Sequence, residues 1–117
     1  MNQRTLGKSY EQIAAAFMQQ QGYTILESNY HCRFAELDLV ATESGYLCFV
    51  EVKYRENTNY GAPQGVITPE KTRRICQAAL FYMKEKHISV ERPIRFDVVM
   101  IIGNKIRIYK NAFEFQN

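Results

Sequence analysis

Two apolar segments of this sequence carry charges that a strand interior ordinarily avoids: Ala35-Glu36-Leu37-Asp38-Leu39-Val40 and Leu47-Cys48-Phe49-Val50-Glu51-Val52-Lys53. Period-two alternation sends Leu47, Phe49, Glu51 and Lys53 to one face and Tyr46, Cys48, Val50 and Val52 to the other. If the connection over Glu43 to Tyr46 pairs Thr42 with Leu47, the antiparallel register sets Asp38 opposite Glu51 and Glu36 opposite Lys53. A loop one residue longer or shorter would break this parity. Two carboxylates about 4 Å apart repel by roughly 4 kcal/mol at an effective dielectric of about 20, so something must offset them. A shared proton, the Lys53 ammonium or a divalent cation would each do so, and hard carboxylate oxygens select Mg²⁺ or Mn²⁺ over softer metals. A lysine two residues after a metal-binding glutamate can position a hydrolytic water or stabilise charge developing on a phosphate. The chemistry this suits is phosphodiester hydrolysis. An isolated Glu-x-Lys in a strand is ordinarily an exposed salt bridge. Asp38 and the apolar neighbours set this one apart, since unpaired charge is disfavoured in a central strand.

The elements that must position these side chains are legible in the spacing. Leu6, Tyr10, Ile13, Ala14 and Phe17 fall on one side of an amphipathic helix from about Leu6 to Gln21, with Thr5 or Ser9 as N-cap and Gly22 as the C′ residue. Three strands near 23–31, 35–42 and 46–54 have connections short enough for an antiparallel meander. A polar surface loop is expected over 55–67. Thr68-Pro69-Glu70 has a hydroxyl cap, proline at N1 and an acid at the positive end of the dipole. The second helix runs from there to about Lys86, burying Ile75, Cys76, Ala79, Tyr82 and Met83. Strands at 94–102 and 105–109 flank Gly103-Asn104. The order α-β-β-β-α-β-β implies a single α+β layered domain over residues 1–117, its sheet mixed if the second helix is a crossover.

The 117 residues are 46% hydrophobic and 23% charged, which suits one globular core and argues against disorder. No stretch approaches the roughly 20 apolar residues of a membrane span, and the first residues lack the apolar run of a secretory signal, so a cytoplasmic protein with no membrane partner is expected. A net charge of +3 allows an anionic partner without demanding one. Cys32, Cys48 and Cys76 are odd in number and widely spaced, which signals neither a disulfide framework nor a zinc site.

The strings Ala35-Glu36-Leu37-Asp38-Leu39-Val40, Phe49-Val50-Glu51-Val52-Lys53-Tyr54-Arg55, Tyr60-Gly61-Ala62-Pro63, Lys71 and Arg95-Phe96-Asp97-Val98-Val99 resemble the bacterial YraN family over nearly the whole chain. That family is similar to the restriction-endonuclease-like PD-(D/E)XK nucleases and particularly to archaeal Holliday-junction resolvases. The resemblance implies a restriction-endonuclease-like core with Asp38, Glu51 and Lys53 as catalytic residues. Asp38 and Glu51 would hold Mg²⁺ or Mn²⁺, with Glu11 on the first helix as a further ligand. Glu36 is a second-rank site residue, able to pair with Lys53 or solvent. Lys71, Arg55, Tyr60 and Gln64 are the candidates for holding nucleic acid. The Gln-x-x-x-Tyr signature of the RecB-type branch is missing, because Gln77 and Tyr82 have the wrong spacing.

The expected activity is metal-dependent endonucleolytic cleavage of DNA, branched or junction DNA included, and cutting two strands would call for a homodimer. The alternative is a catalytically silent nucleic-acid-binding or scaffold module on the same fold. An enzyme acting on RNA or a metabolite would need only the same scaffold.

Overall fold

A computed structural model describes residues 3–56 and 67–116, with side chains from Ser9 onward in the first helix. The chain forms α1 (Gln3–Gln20), β1 (Thr24–His31), β2 (Glu36–Glu43), β3 (Tyr46–Arg55), α2 (Pro69–Glu85), β4 (Ile94–Ile102) and β5 (Lys105–Phe113). The strands make one mixed sheet in sequential order, antiparallel except for the parallel pair β3–β4. The expected α+β class and element order both hold, and the one parallel pair is the one that α2 bridges. No helix among the described residues is long and apolar enough to cross a membrane.

Each helix covers one face of the sheet. Ile75, Cys76, Ala79, Tyr82 and Met83 of α2 pack on Leu47, Phe49, Phe96 and Val98, while Ala14 and Met18 of α1 pack on Cys48, Val50, Val99 and Ile101. The α2 stripe is therefore the one the sequence indicated, and Thr68 caps the helix as expected, its Oγ1 accepting from the Lys71 N–H at 3.1 Å. In α1 the register differs. Ile13 is 45% exposed and Met18 fully buried, and the helix begins at Gln3 instead of near Leu6. An alanine-rich helix can turn either edge of its stripe inward, so contact with the sheet decides the matter. Its end follows a Schellman pattern: Tyr23 N–H donates to the Met18 carbonyl and Gly22 N–H to the Gln19 carbonyl, with Gly22 at φ +99°.

The β2–β3 hairpin turns on Ser44 and Gly45, both at positive φ, a two-residue turn whose twist matches that of its strands. Thr42 consequently pairs with Leu47, the register assumed from the sequence. β5 continues to Phe113, four residues beyond the expected Tyr109, past a register shift opposite Phe96–Val98. Cys48 and Cys76 are buried free thiols, whereas Cys32 is only half-buried.

One end of the sheet is fastened by a buried ionic cluster. Asp97, wholly buried, accepts from Tyr23 Oη (2.7 Å), from Arg95 Nε (2.9 Å) and from the Asn111 N–H (2.9 Å). Arg95 also donates to Glu43 at 2.8 Å, which Lys110 approaches at 3.0 Å. This cluster lies at the hairpin end of β2 and β3. The charges of Glu36, Asp38, Glu51 and Lys53 lie toward the other end, where those strands diverge.

Candidate metal centre

The β2–β3 ladder has its last recorded pair at Leu39–Val50, one step before Asp38 and Glu51. There the Val52 N–H donates to Asp38 Oδ2 at 2.9 Å, so the Asp38 carboxylate takes the place of a ladder carbonyl. The strand pattern is broken at the same point. Leu37 packs on the α2 side and Leu39 on the α1 side, although strict alternation would give them one face. Across from them on β1, between the pairs Ser28–Leu39 and Tyr30–Leu37, Asn29 takes a left-handed φ of 55°. Such irregularities re-aim side chains. Here the result is that a group from α1, on one face, and groups on β2 and β3 meet.

Glu11, Glu36 and Asp38 bring carboxylate oxygens within 4.8 Å of one another. Tyr10 stacks on Tyr54 with ring centroids 4.1 Å apart, which holds α1 against β3 one residue before Glu11. Burial, then the Asp38 and Glu36 carboxylates, push the Glu11 pKa up to about 7, while a hydrogen bond from Asn29 works the other way. Glu11 Oε2 is buried with no hydrogen-bond partner. Converging hard oxygens suit Mg²⁺ or Mn²⁺, and an ion would also relieve the carboxylate repulsion and satisfy the orphaned Glu11 acceptor. These residues fit the ion.

Glu51 sits beside this group rather than within it. Its side chain is almost wholly buried, and Lys71 Nζ from α2 lies 3.6 Å from its Oε1. Burial and the nearby Asp38 push the Glu51 pKa up to about 8, against the opposing pull of Lys71 and Lys53. Lys53 is half-buried next to Lys71. Burial, together with hydrogen bonding and repulsion from that second amine, lowers its pKa to about 8. Burial works against the Lys71 ammonium too, yet hydrogen bonding to Lys53 and the charges of Glu51 and Asp38 hold its pKa above the ordinary lysine value. An amine poised near neutrality beside a carboxylate cluster can take a proton from water or carry one to a leaving oxygen.

A cleft of about 490 Å³ lies over these groups, with Glu36, Asp38, Glu51, Lys71 and Arg74 among its walls. Of the residues singled out in the sequence, Asp38, Glu51, Lys53, Glu11, Glu36 and Lys71 thus come together. Glu36 stands in the carboxylate trio, and the imidazole of His31, with Nε2 3.5 Å away, is its neighbour rather than the Lys53 that simple register would supply. Arg55 lies apart from the cleft walls and donates from Nη1 to the Tyr54 carbonyl at 2.7 Å. Tyr60 and Gln64 lie outside the described residues. Asn29 was missed in the sequence, although asparagine is among the residues that most readily adopt a left-handed conformation.

The family described as "Uncharacterised protein family UPF0102" matches residues 10–101 of the chain. A UPF0102 protein of Lachnoclostridium phytofermentans is 46% identical over 114 residues, 97% of each chain. One of Syntrophus aciditrophicus is 44% identical, covering 97% of this chain and 91% of the relative. A third, of Legionella pneumophila, is 44% identical over 92% of this chain and 93% of the relative. The match spans the cleft-forming segments on α1, β2, β3 and α2, and the chain belongs to the UPF0102 family, the YraN family that its motifs resemble.

Proposed function

We propose that this protein is a metal-dependent nuclease that hydrolyses DNA phosphodiester bonds, branched DNA included, on a restriction-endonuclease-like core. The observation that carries this reading is the meeting of Glu11, Glu36 and Asp38 within 4.8 Å, beside Glu51 and two basic side chains. Glu11, Glu36 and Asp38 would hold Mg²⁺ or Mn²⁺, with Glu51 flanking them. When bound, such an ion supplies charge neutralisation at the phosphate and acidifies water. The chain's own residues do the rest. Lys53 holds or accepts the proton of the attacking water, and Lys71 carries positive charge to the phosphate oxygens, while Arg74 at the cleft wall is paired with Glu70.

The Lys71–Glu51 pair favours a second reading, in which the lysine balances the acid and the module binds nucleic acid without turnover. Labelled flap, fork, junction, single-stranded and duplex DNA incubated with Mn²⁺ tests both. The nuclease reading expects cleavage of at least one substrate, absent in Asp38→Ala and strongly reduced in Lys53→Ala. DNA that is retarded on a gel yet left uncut by the native protein, with Lys53→Ala behaving identically, supports the silent module instead.

A further inference from the structure

Next to the carboxylate cleft, and sharing Phe34 with it, a second concavity of about 630 Å³ opens along α2. Its apolar floor is made by Phe34, Leu80 and Phe81, and the last two are 43% and 37% exposed on a helix that otherwise buries its stripe. The Phe34 and Phe81 rings meet edge to face at 6.1 Å. Arg33 lies over the Phe34 ring at 4.9 Å, so this wall is both aromatic and cationic. Gln77 adds an amide and Lys84 a second cation. The acid here, Glu85, is already engaged by the Tyr30 hydroxyl at 2.9 Å. Arg74, Gln77, Phe81 and Lys84 follow one another at helical steps of three and four, leading from the wall of the cleft to this groove.

An apolar aromatic floor rimmed by cations and an amide suits a nucleobase with its phosphates. The base stacks or packs on the aromatic rings, the guanidinium and ammonium take the backbone, and the amide meets a base edge. An apolar peptide would leave Arg33 and Lys84 without anions, and a base held in duplex would first have to leave its stack.

We propose that this groove receives an unpaired nucleotide of the substrate, which makes the substrate class nucleic acid with a single-stranded segment beside the bond presented to the carboxylates. The inference rests on the cleft being a nucleic-acid site, but it is read out by binding alone. The probe is a fluorescein-labelled fifteen-nucleotide thymidine strand, followed by fluorescence anisotropy in EDTA.

Native protein is expected to bind this strand more tightly than a blunt duplex of equal length, and Phe81→Ser to bind it about tenfold more weakly, the size of one lost base–aromatic contact. An abasic strand of the same length should bind the native protein as weakly as the thymidine strand binds Phe81→Ser, and should not distinguish the two proteins. Lys84→Glu, a surface change that spares the floor, should weaken both strands. Thermal melting checks that each variant is folded. Equal binding by native protein and Phe81→Ser, or no preference over duplex, overturns the proposal. So does a native dimer that Phe81→Ser dissolves, since the groove would then be a contact between copies.

Failure here is separable from failure of the nuclease reading. If Phe81→Ser binds and cuts as the native protein does while Asp38→Ala does not cut, the groove assignment falls and the nuclease stands. If the binding pattern holds but nothing is cut, the nuclease falls and the groove stands.

Discussion

At the scale of single residues, the site is a place where the chain tolerates repulsion. Glu11 is half-buried beside Asp38 and Glu36, and its pKa is raised from 4.5 to about 7. Ionising it is harder in the folded chain than in the unfolded one, so its contribution to stability declines as pH rises from 4.5 through about 7. Glu11→Gln removes that decline. In chelator at pH 8 the variant should melt a few degrees above the native protein, and Mn²⁺ should raise its melting temperature less. A variant that melts lower would mean that the carboxylate is satisfied as it stands. Lys53 belongs to a different task. Lys53→Ala should lower the cleavage rate by about 10²–10³, the usual loss for one group aimed at transition-state charge, while leaving Mn²⁺-induced stabilisation in place. Single-turnover cleavage beside metal-dependent melting separates the two effects.

At the scale of elements, two devices decide whether the site assembles. Thr68 fixes the start of α2, and hence Lys71 three residues on, through the Thr68 Oγ1 bond to the Lys71 N–H. Thr68→Ala should cost about 1 kcal/mol in denaturant unfolding, the typical value of a lost N-cap. At the other end of the sheet, Asp97 accepts from Tyr23, Arg95 and Asn111, and removing it leaves the Tyr23 hydroxyl and the Asn111 N–H without this acceptor and the Arg95 guanidinium with Glu43 as its remaining carboxylate. Asp97→Ala should cost about 3–5 kcal/mol by the same measurement, far more than the cap. Most of this scaffold was legible beforehand. Thr68-Pro69-Glu70 carries a local signal strong enough to place α2, whereas the β2–β3 register rested on an assumed turn length that the Ser44-Gly45 turn proves to have. What stayed hidden depends on contacts distant in sequence. Which edge of the α1 stripe turns inward is settled by the sheet, and β5 outruns its apolar pattern because a register shift lets it continue to Phe113. The site was legible in composition but not in detail. Period-two reasoning assumes an unbroken strand, and the interruption at Asn29 and Asp38 is what moves Glu36 into the carboxylate group and leaves Glu51 beside it.

At the scale of the molecule, charges of opposite consequence sit toward different ends of one sheet: a satisfied cluster that fastens the hairpin end, and a cluster of converging carboxylates at the other. The fastening cluster predicts the acid behaviour. Hydrogen bonds from Arg95, then Lys110 and Ser44, hold the Glu43 pKa down to about 2. Its contribution is complete above the ordinary value of 4.5 and is lost as pH falls through about 2, so Glu43→Gln should flatten the stability–pH profile in that window. Urea unfolding at a series of pH values measures the difference. The carboxylate cluster predicts the opposite response, stabilisation by a divalent cation, since a ligand that binds only the folded state raises its stability by about 2.7 kcal/mol at 100 times its dissociation constant. The most direct measurement is therefore a Mn²⁺ titration of the native protein and Asp38→Ala, followed by calorimetric binding and thermal melting. Saturable binding with a rise of several degrees in the native protein, and neither in Asp38→Ala, is the expected result. Equal responses from the two proteins, or none from the native chain, would contradict a metal centre built on Asp38.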